Sequence, residues 1–420
     1  MLNTSIHYRD AMLFCDDVAL KDIIAITGTP VYIYSFKRVL ENYERIRAAF
    51  APLNAHLHYS AKANANLSLL KTLVNAGAGI DAVSAGEIHR ALQAGAKPDS
   101  IVFAGVGKTP NEIGYALEQG IGWINVENVG ELRLINDIAA ALHRTPVQVA
   151  LRFNPDITAN THPYIATGHG GAKFGLTAET IRNILAEQGK YPHVHIAGIH
   201  LHIGSQLHDT DATRQAVEAA LDLIAPYPAI RTVNIGGGLP VAYRPGESLP
   251  TFDAFAKTLT PLLKDYTVML EPGRSIIADA GVLVVSIIYV KKQAGQTFLI
   301  TDGSMAELIR PALYQAHHEI VPVMPHSSSG DSHKNPDPVN VVGPVCETTD
   351  VLGKEVALPE MIPGELLAIL TAGAYGMVMA SNYNARPRPP EAAVLPDGRS
   401  WRIIRRRETW DDLLVHEEVL

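Results

Sequence analysis

Cysteine is scarce. Only Cys15 and Cys346 occur in 420 residues, too few for a disulfide framework, and so little cysteine suits a reducing compartment. Long apolar runs are missing as well. The longest, roughly residues 275 to 290, carries Asp279 and is shorter than a bilayer-spanning helix requires. No basic-then-apolar leader opens the chain, which begins MLNTSIHYRD. Basic residues cluster only at Arg405, Arg406 and Arg407, and the net charge is −8. Neither nucleic acid nor a membrane is therefore an expected partner. These absences leave a soluble, cytoplasmic protein as the expectation. The composition is 47% hydrophobic and 19% charged, which provides for a large core. The length exceeds what one ordinary domain holds, so two domains are expected.

From residue 37 to residue 274 one unit recurs, a short β-rich apolar run, a turn, then a helical pattern. The apolar runs are LHYSA (57–61), GIDAV (79–83), IVFAG (101–105), GWINV (122–126), VQVALRF (147–153), IAGIHLHI (196–203), RTVNI (231–235) and TVMLE (267–271). Between them, segments such as AGEIHRALQAG and VGELRLINDIAAAL repeat apolar residues every three or four positions, and glycine often closes the pattern. Eight strands alternating with helices over about 240 residues fit a (β/α)₈ barrel; a doubly wound sheet is the competing architecture. Beyond residue 274 the pattern changes. GVLVVSIIYVKK, TFLITDG, VNVVGPVC, LLAILTAGAYG and SWRIIRRRE read as strands between proline- and glycine-rich turns. Residues 1–36, with the strand VYIYS (31–35), join 275–420 in a discontinuous all-β domain, and 325–338 reads as a polar surface loop.

In a (β/α)₈ barrel the C-terminal ends of the strands face the active site. The first run ends at Lys62, the second carries Asp81 and the fifth Arg152, while the sixth ends in HLHIGS, the seventh in NIGGG and the eighth in EPGR. Singly, each has an ordinary reading. Lys62 could be a solvated charge, His202 a core histidine, the glycines at 236–238 a flexible turn, and Glu271 a structural partner of Arg274. The pair His200 and His202 could bind a metal, but it lacks further ligands at sensible spacing, so no metal is expected. Their joint placement on one rim points to a single cofactor, pyridoxal 5′-phosphate. Backbone N–H groups of the glycine triplet, Gly237 and Gly238 among them, can receive a phosphate. Glu271 can keep a pyridine nitrogen protonated, His202 can stack on the ring, and Lys62 can form the Schiff base.

At these residues the chain resembles the fold-type III pyridoxal phosphate-dependent decarboxylases, and within them the diaminopimelate decarboxylases. The resemblance covers nearly the whole chain, through YSAKANAN, GIDAVSAGEI, RFNPDITANTHPYIATG with KFGL, GIHLHIGSQ, NIGGGL, EPGR, IRPALYQAHHEI, GPVCETTD and GAYGMVMASNYNARPRP. It implies decarboxylation of meso-2,6-diaminopimelate to L-lysine, the last step of lysine biosynthesis. It also implies that Lys62 carries the cofactor, His202 stacks on its ring and Glu271 binds its nitrogen. Ser205, Gly238, Gly273 and Tyr375 would surround the phosphate, and Asp81 and Arg152 would orient Lys62 and His202 from behind. A homodimer with shared active sites is implied, the partner lending GPVCE. Cys346 would then act near the substrate Cα as proton donor and Glu347 would bind the far amino group. Arg274, Arg310 and Tyr314 would hold the distal carboxylate.

Ornithine has no distal carboxylate, and its decarboxylation would leave Arg310 and Tyr314 without a use. Another amino diacid, or a diamino acid such as ornithine or lysine, is the alternative substrate, and a non-catalytic binding barrel is the alternative of a different class. The chain departs from the family pattern at Thr348, where serine is usual, and in GVGKT (105–109), where GNGKS is usual.

Overall fold

The structure, a computed structural model, describes residues 1–144, 146–157, 168, 171–324 and 337–420. Most of THPYIATG and of the 325–338 loop lies outside the described residues. Two units are distinguished, one of Asn42–Val241 with Ser248–Ser275, the other of Met1–Glu41, Ala242–Glu247 and Ile276–Leu420.

The first unit is a closed barrel of eight parallel strands in sequence order. These are β1 (His56–Ser60), β2 (Gly79–Ala82), β3 (Ile101–Phe103), β4 (Trp123–Val126), β5 (Val147–Phe153), β6 (Val194–Leu201), β7 (Thr232–Asn234) and β8 (Thr267–Leu270). β8 closes on β1 through Met269 opposite His56 and Leu270 opposite Leu57. This is the (β/α)₈ barrel the alternation implied, and no doubly wound sheet forms. Local chemistry starts and stops the helices. Asn66, Ser84, Thr109 and Asn128 each accept a backbone N–H as N-caps, and Thr109 with Glu112 completes a capping box. Gly77, Gly95 and Gly120 follow three of these helices at positive φ, where a side chain would be strained. The strands are buried on both faces, with Tyr59, Ile80, Phe103 and Ile124 fully inaccessible.

The second unit is built on a mixed sheet ordered Val351–Val356, Val339–Val342, Gln296–Thr301, Gly281–Gln293, Val31–Ser35, Glu391–Val394 and Trp401–Arg405. Leu366–Ile369 pairs with both Gly281–Gln293 and Ile320–Pro322. VYIYS does join this sheet, between Gly281–Gln293 and Glu391–Val394. A separate three-stranded sheet of Ile6–Arg9, Met12–Cys15 and Val18–Ala19 packs into the same core through Ile6, Leu13 and Cys15 against Val31, Val282 and Ala392. Two expected strands are shorter than they read. VNVVGPVC is a strand only to Val342, and LLAILTAGAYG only to Ile369. Beyond Ile369 the backbone turns left-handed at Thr371 (φ 55°) and Tyr375 (φ 55°), which extended pairing does not allow.

Candidate active site

Side chains alternate along a strand, so a polar residue in a buried barrel strand points either at the helices or into the interior. At the end of β1, Lys62 sits in the single turn Ala61–Ala63, between two buried alanines. Its Nζ lies 3.3 Å from Asp81 Oδ2; the lysine side chain is 38% exposed and the aspartate fully buried. Ser60 donates to the same oxygen at 2.6 Å, while Asp81 Oδ1 is buried with no hydrogen-bond partner among the described residues. Burial raises the Asp81 carboxyl, as does the charge of Glu271, against the opposing pull of Lys62 and Ser60. The Lys62 turn rests on Gly273, where a Cβ would stand 2.9 Å from Ser60 Cβ.

Glu271, just past β8, is the hub of the interior. Its Oε1 accepts from Asn125 at 3.0 Å and Asn234 at 2.7 Å, and its Oε2 lies 3.2 Å from His200 Nε2. Burial alone would push this carboxyl up. The attraction of His200 and Lys62 and the Asn234 bond outweigh it and hold the group ionised well below the usual range.

Around this hub lies the glycine triplet. A Cβ on Gly237 would come within 2.5 Å of the Glu271 carbonyl, and one on Gly238 within 2.9 Å of the Gly204 carbonyl. Gly236 (φ 67°) and Gly238 (φ 92°) are left-handed as well. Gly237 N–H donates to His202 Nδ1 at 3.3 Å. Burial, then the charges of Lys62, Arg152 and His200, drive the His202 imidazole well below its ordinary pKa. The ring is therefore neutral, with its proton on Nε2. Ser205 Oγ accepts from Arg274 Nε at 3.2 Å and Nη2 at 3.1 Å, which brings together two residues expected to serve different parts of the ligand.

The third and fourth strands supply residues that sequence reasoning passed over. Arg152 pairs with Glu127 and lies over the Phe174 ring at 4.7 Å. The other Glu127 oxygen accepts from Gly175 N at 2.8 Å, tying KFGL to the end of β5. In GVGKT, Lys108 donates to Glu131 at 2.8 Å and to the carbonyls of Gly105 and Asn125, with 1% of its side chain exposed. The available signal was alternation, which sends Trp123, Asn125 and Glu127 to one face of a buried strand.

The remaining expected site residues belong to the second unit. Cys346 and Glu347 stand in an exposed run of four residues. Asp350 ties the base of this loop, accepting from Met305 N and Val345 N at 2.7 Å each. Glu347 accepts from Tyr383 OH at 2.6 Å. Arg310 is buried, lies over the Tyr243 ring at 4.8 Å and donates to His318 Nε2 at 2.9 Å. His318 in turn donates from Nδ1 to the Leu370 carbonyl. Tyr314 shares the helix Arg310–Tyr314 and is half-buried, as is Tyr375. Among the described residues no group of three or more histidine, cysteine, aspartate or glutamate side chains is arranged to hold a metal ion.

The family model described as pyridoxal-dependent decarboxylase, pyridoxal binding domain, matches residues 36–278. Over 415 residues the chain is 40% identical to a diaminopimelate decarboxylase of Aquifex aeolicus, covering 97% of this chain and 96% of that one. Over 421 residues it is 41% identical to one of Pseudomonas aeruginosa, covering 98% of each. Among solved structures it is similar to the Helicobacter pylori diaminopimelate decarboxylase complexed with L-lysine, with TM-score 0.87, 38% identity and coverage of 95% and 99%. The M. jannaschii enzyme in co-complex with L-lysine gives TM-score 0.92 at 32% identity, covering 100% and 99%. On full-length identity of this order, and with the barrel that carries the matched domain, the chain belongs to the pyridoxal-dependent decarboxylases, in the diaminopimelate decarboxylase family.

Proposed function

We propose that the chain uses pyridoxal 5′-phosphate to decarboxylate meso-2,6-diaminopimelate, giving L-lysine and CO₂ as the last step of lysine biosynthesis. The observation that carries this reading is the 40–41% identity to diaminopimelate decarboxylases over nearly the entire chain. Two solved relatives hold L-lysine, the product of this reaction. The barrel interior fits the cofactor on its own terms. An ionised buried carboxylate suits a protonated ring nitrogen, a cradle that any Cβ would fill suits a phosphate, and a half-exposed amine lies on the same rim.

When bound, pyridoxal phosphate supplies an electron sink, its protonated ring taking up the pair left on Cα as CO₂ departs. Lys62 would be the amine that holds it, oriented by the Asp81 oxygen 3.3 Å away that also accepts from Ser60. Glu271 would keep the ring nitrogen protonated, and neutral His202, held by Gly237 N–H, would stack on the ring. Ser205, Gly237, Gly238, Gly273 and Tyr375 would receive the phosphate. Arg152 stands behind His202 and contributes to keeping it neutral. After the Cα–carboxylate bond breaks, Cys346 Sγ delivers a proton to Cα.

Substrate choice rests on the other head of the molecule. Arg310, Arg274 and Tyr314 take the distal carboxylate, the arginines through planar forks, and Glu347 takes the distal ammonium. Arg310 supports this assignment, because a buried guanidinium beside a neutral His318 suits an incoming anion. The exposed loop bearing Cys346 and Glu347 is offered by a second copy of the chain, so the working form is a homodimer with shared sites. A catalytic thiol has to stay reduced, which favours the cytoplasm.

A CO₂-release assay across meso-, LL- and DD-diaminopimelate, ornithine, lysine and arginine tests the reading. Release from meso-diaminopimelate, with ornithine and lysine inert, is the expected result. Turnover of ornithine or lysine with meso-diaminopimelate inert would replace the substrate.

A further inference from the structure

Glu271 lies in a layered harness of donors whose outer layer has no role in the reading above. Two of its three side-chain partners are amides, and an amide turned by 180° would present its oxygen to the carboxylate and repel it. Each amide is held against that turn. The Trp123 indole N–H donates to Asn125 Oδ1 at 3.1 Å, and Gly236 N–H donates to Asn234 Oδ1 at 2.9 Å. With both oxygens occupied, both NH₂ groups face Glu271 Oε1, at 3.0 and 2.7 Å. Glu271 N–H donates back to the Gly236 carbonyl at 2.8 Å. Asn125, Asn234 and Glu271 are buried.

We propose that Asn125 and Asn234, locked in orientation by Trp123 and Gly236, are positioning residues that keep the Glu271 carboxylate ionised and aimed at the cofactor's ring nitrogen. The inference rests on the reading that Glu271 meets that nitrogen. Its physical content is that two N–H donors on one oxygen stabilise the anion more than the acid. Of the carboxylate's lone pairs, those left over serve the ligand. The harness also joins two functions, since Gly236 belongs to the glycine triplet and its N–H orients Asn234. Displacing the phosphate cradle would therefore loosen the carboxylate. The other titratable groups facing Glu271 are His58, Lys62, Asp81, His200 and His202, and all remain in the variants below.

The test is the dissociation constant of pyridoxal phosphate from the holoenzyme, measured between pH 8 and pH 5.5. The proteins are the wild type, Asn125→Leu, Trp123→Phe and Glu271→Gln. Losing one hydrogen bond to a charged group corresponds to roughly tenfold to a hundredfold weaker binding for Asn125→Leu. The ratio of variant to wild type should grow as the pH falls, because Glu271 then takes a proton that the harness otherwise denies it. Trp123→Phe frees the Asn125 amide to turn and should move the same ratio in the same direction by about threefold. It also decides the matter should Asn125→Leu fail to fold. A ratio that stays flat with pH in both variants, while Glu271→Gln binds weakly, overturns the positioning role and leaves the reading of Glu271 intact. Unchanged affinity in Glu271→Gln overturns that reading itself.

Discussion

The two units place their polar chemistry in opposite settings. In the barrel, Asn125, Asn234 and His200 are buried and tied to the buried Glu271, and buried Asp81 is held by Ser60 and Lys62. In the second unit, Cys346 and Glu347 stand exposed on a loop whose base is fastened through Asp350 and whose outer part is tied by Tyr383 to Glu347. A ligand that is the same in every turnover can be met by groups fixed in advance in a low-dielectric interior, where they need no reorganisation. Groups that act on a substrate entering and leaving gain from staying open until that substrate arrives. Arg310 lies between these extremes, buried and bonded to neutral His318.

Substitutions can break or sharpen this contrast. Lys62→Ala should reduce decarboxylation by at least about 10³-fold, measured as CO₂ release, because it removes the amine proposed to hold the cofactor. Lys108→Ala should act on the barrel's fabric instead. It leaves the Glu131 carboxylate buried without its cation, lowering the unfolding free energy in denaturant titration by about 3–5 kcal/mol. Cys346→Ala should reduce kcat by about 10²-fold while pyridoxal phosphate stays bound, since the role proposed for the thiol is in the reaction and not in holding the cofactor. Loss of the cofactor in that variant would erase the distinction between the units. Arg310→Lys keeps the charge and loses the planar fork, so KM for diaminopimelate should rise by about tenfold with little change in cofactor affinity.

The smallest expected effect concerns pH. Burial, with Asp81 adding, raises the Glu87 carboxyl from 4.5 to about 7, against the Val83 N–H bond that lowers it. A carboxyl raised on folding contributes stability below its unfolded pKa and loses it as the pH climbs through the folded one. Glu87→Gln keeps an acceptor for Val83 without titrating. Its stability relative to wild type should therefore grow by about 1–2 kcal/mol between pH 4.5 and pH 7, read from unfolding curves at each pH.

The barrel was legible in sequence because each buried strand is an apolar run ending in a chemically pointed residue, and the rim pattern at Lys62, His202, 236–238 and Glu271 emerged from it. Asn125 and Glu127 escaped notice because one polar residue inside a short strand looks like the start of a turn. Lys108 escaped because a buried lysine is identified by partners distant in sequence, Glu131 and two carbonyls. The second unit was harder to read. The hairpin between Ile6–Arg9 and Met12–Cys15 turns on Asp10 and Ala11, both at positive φ, with no Asn-Gly signal to announce it. Glu391–Val394 has two alanines where strands favour branched residues, and Val351–Val356 has a glycine and two charges. Neighbouring strands, not local propensity, make these segments extended.

The central claim is that Lys62 on the barrel rim is the residue that holds the cofactor. Borohydride reduction of the pyridoxal phosphate-loaded protein, followed by peptide mapping, tests it most directly. The account predicts a pyridoxyl group on Lys62 alone. A pyridoxyl group on Lys108 or any other lysine, or no modification of a protein that has taken up the cofactor, would contradict it.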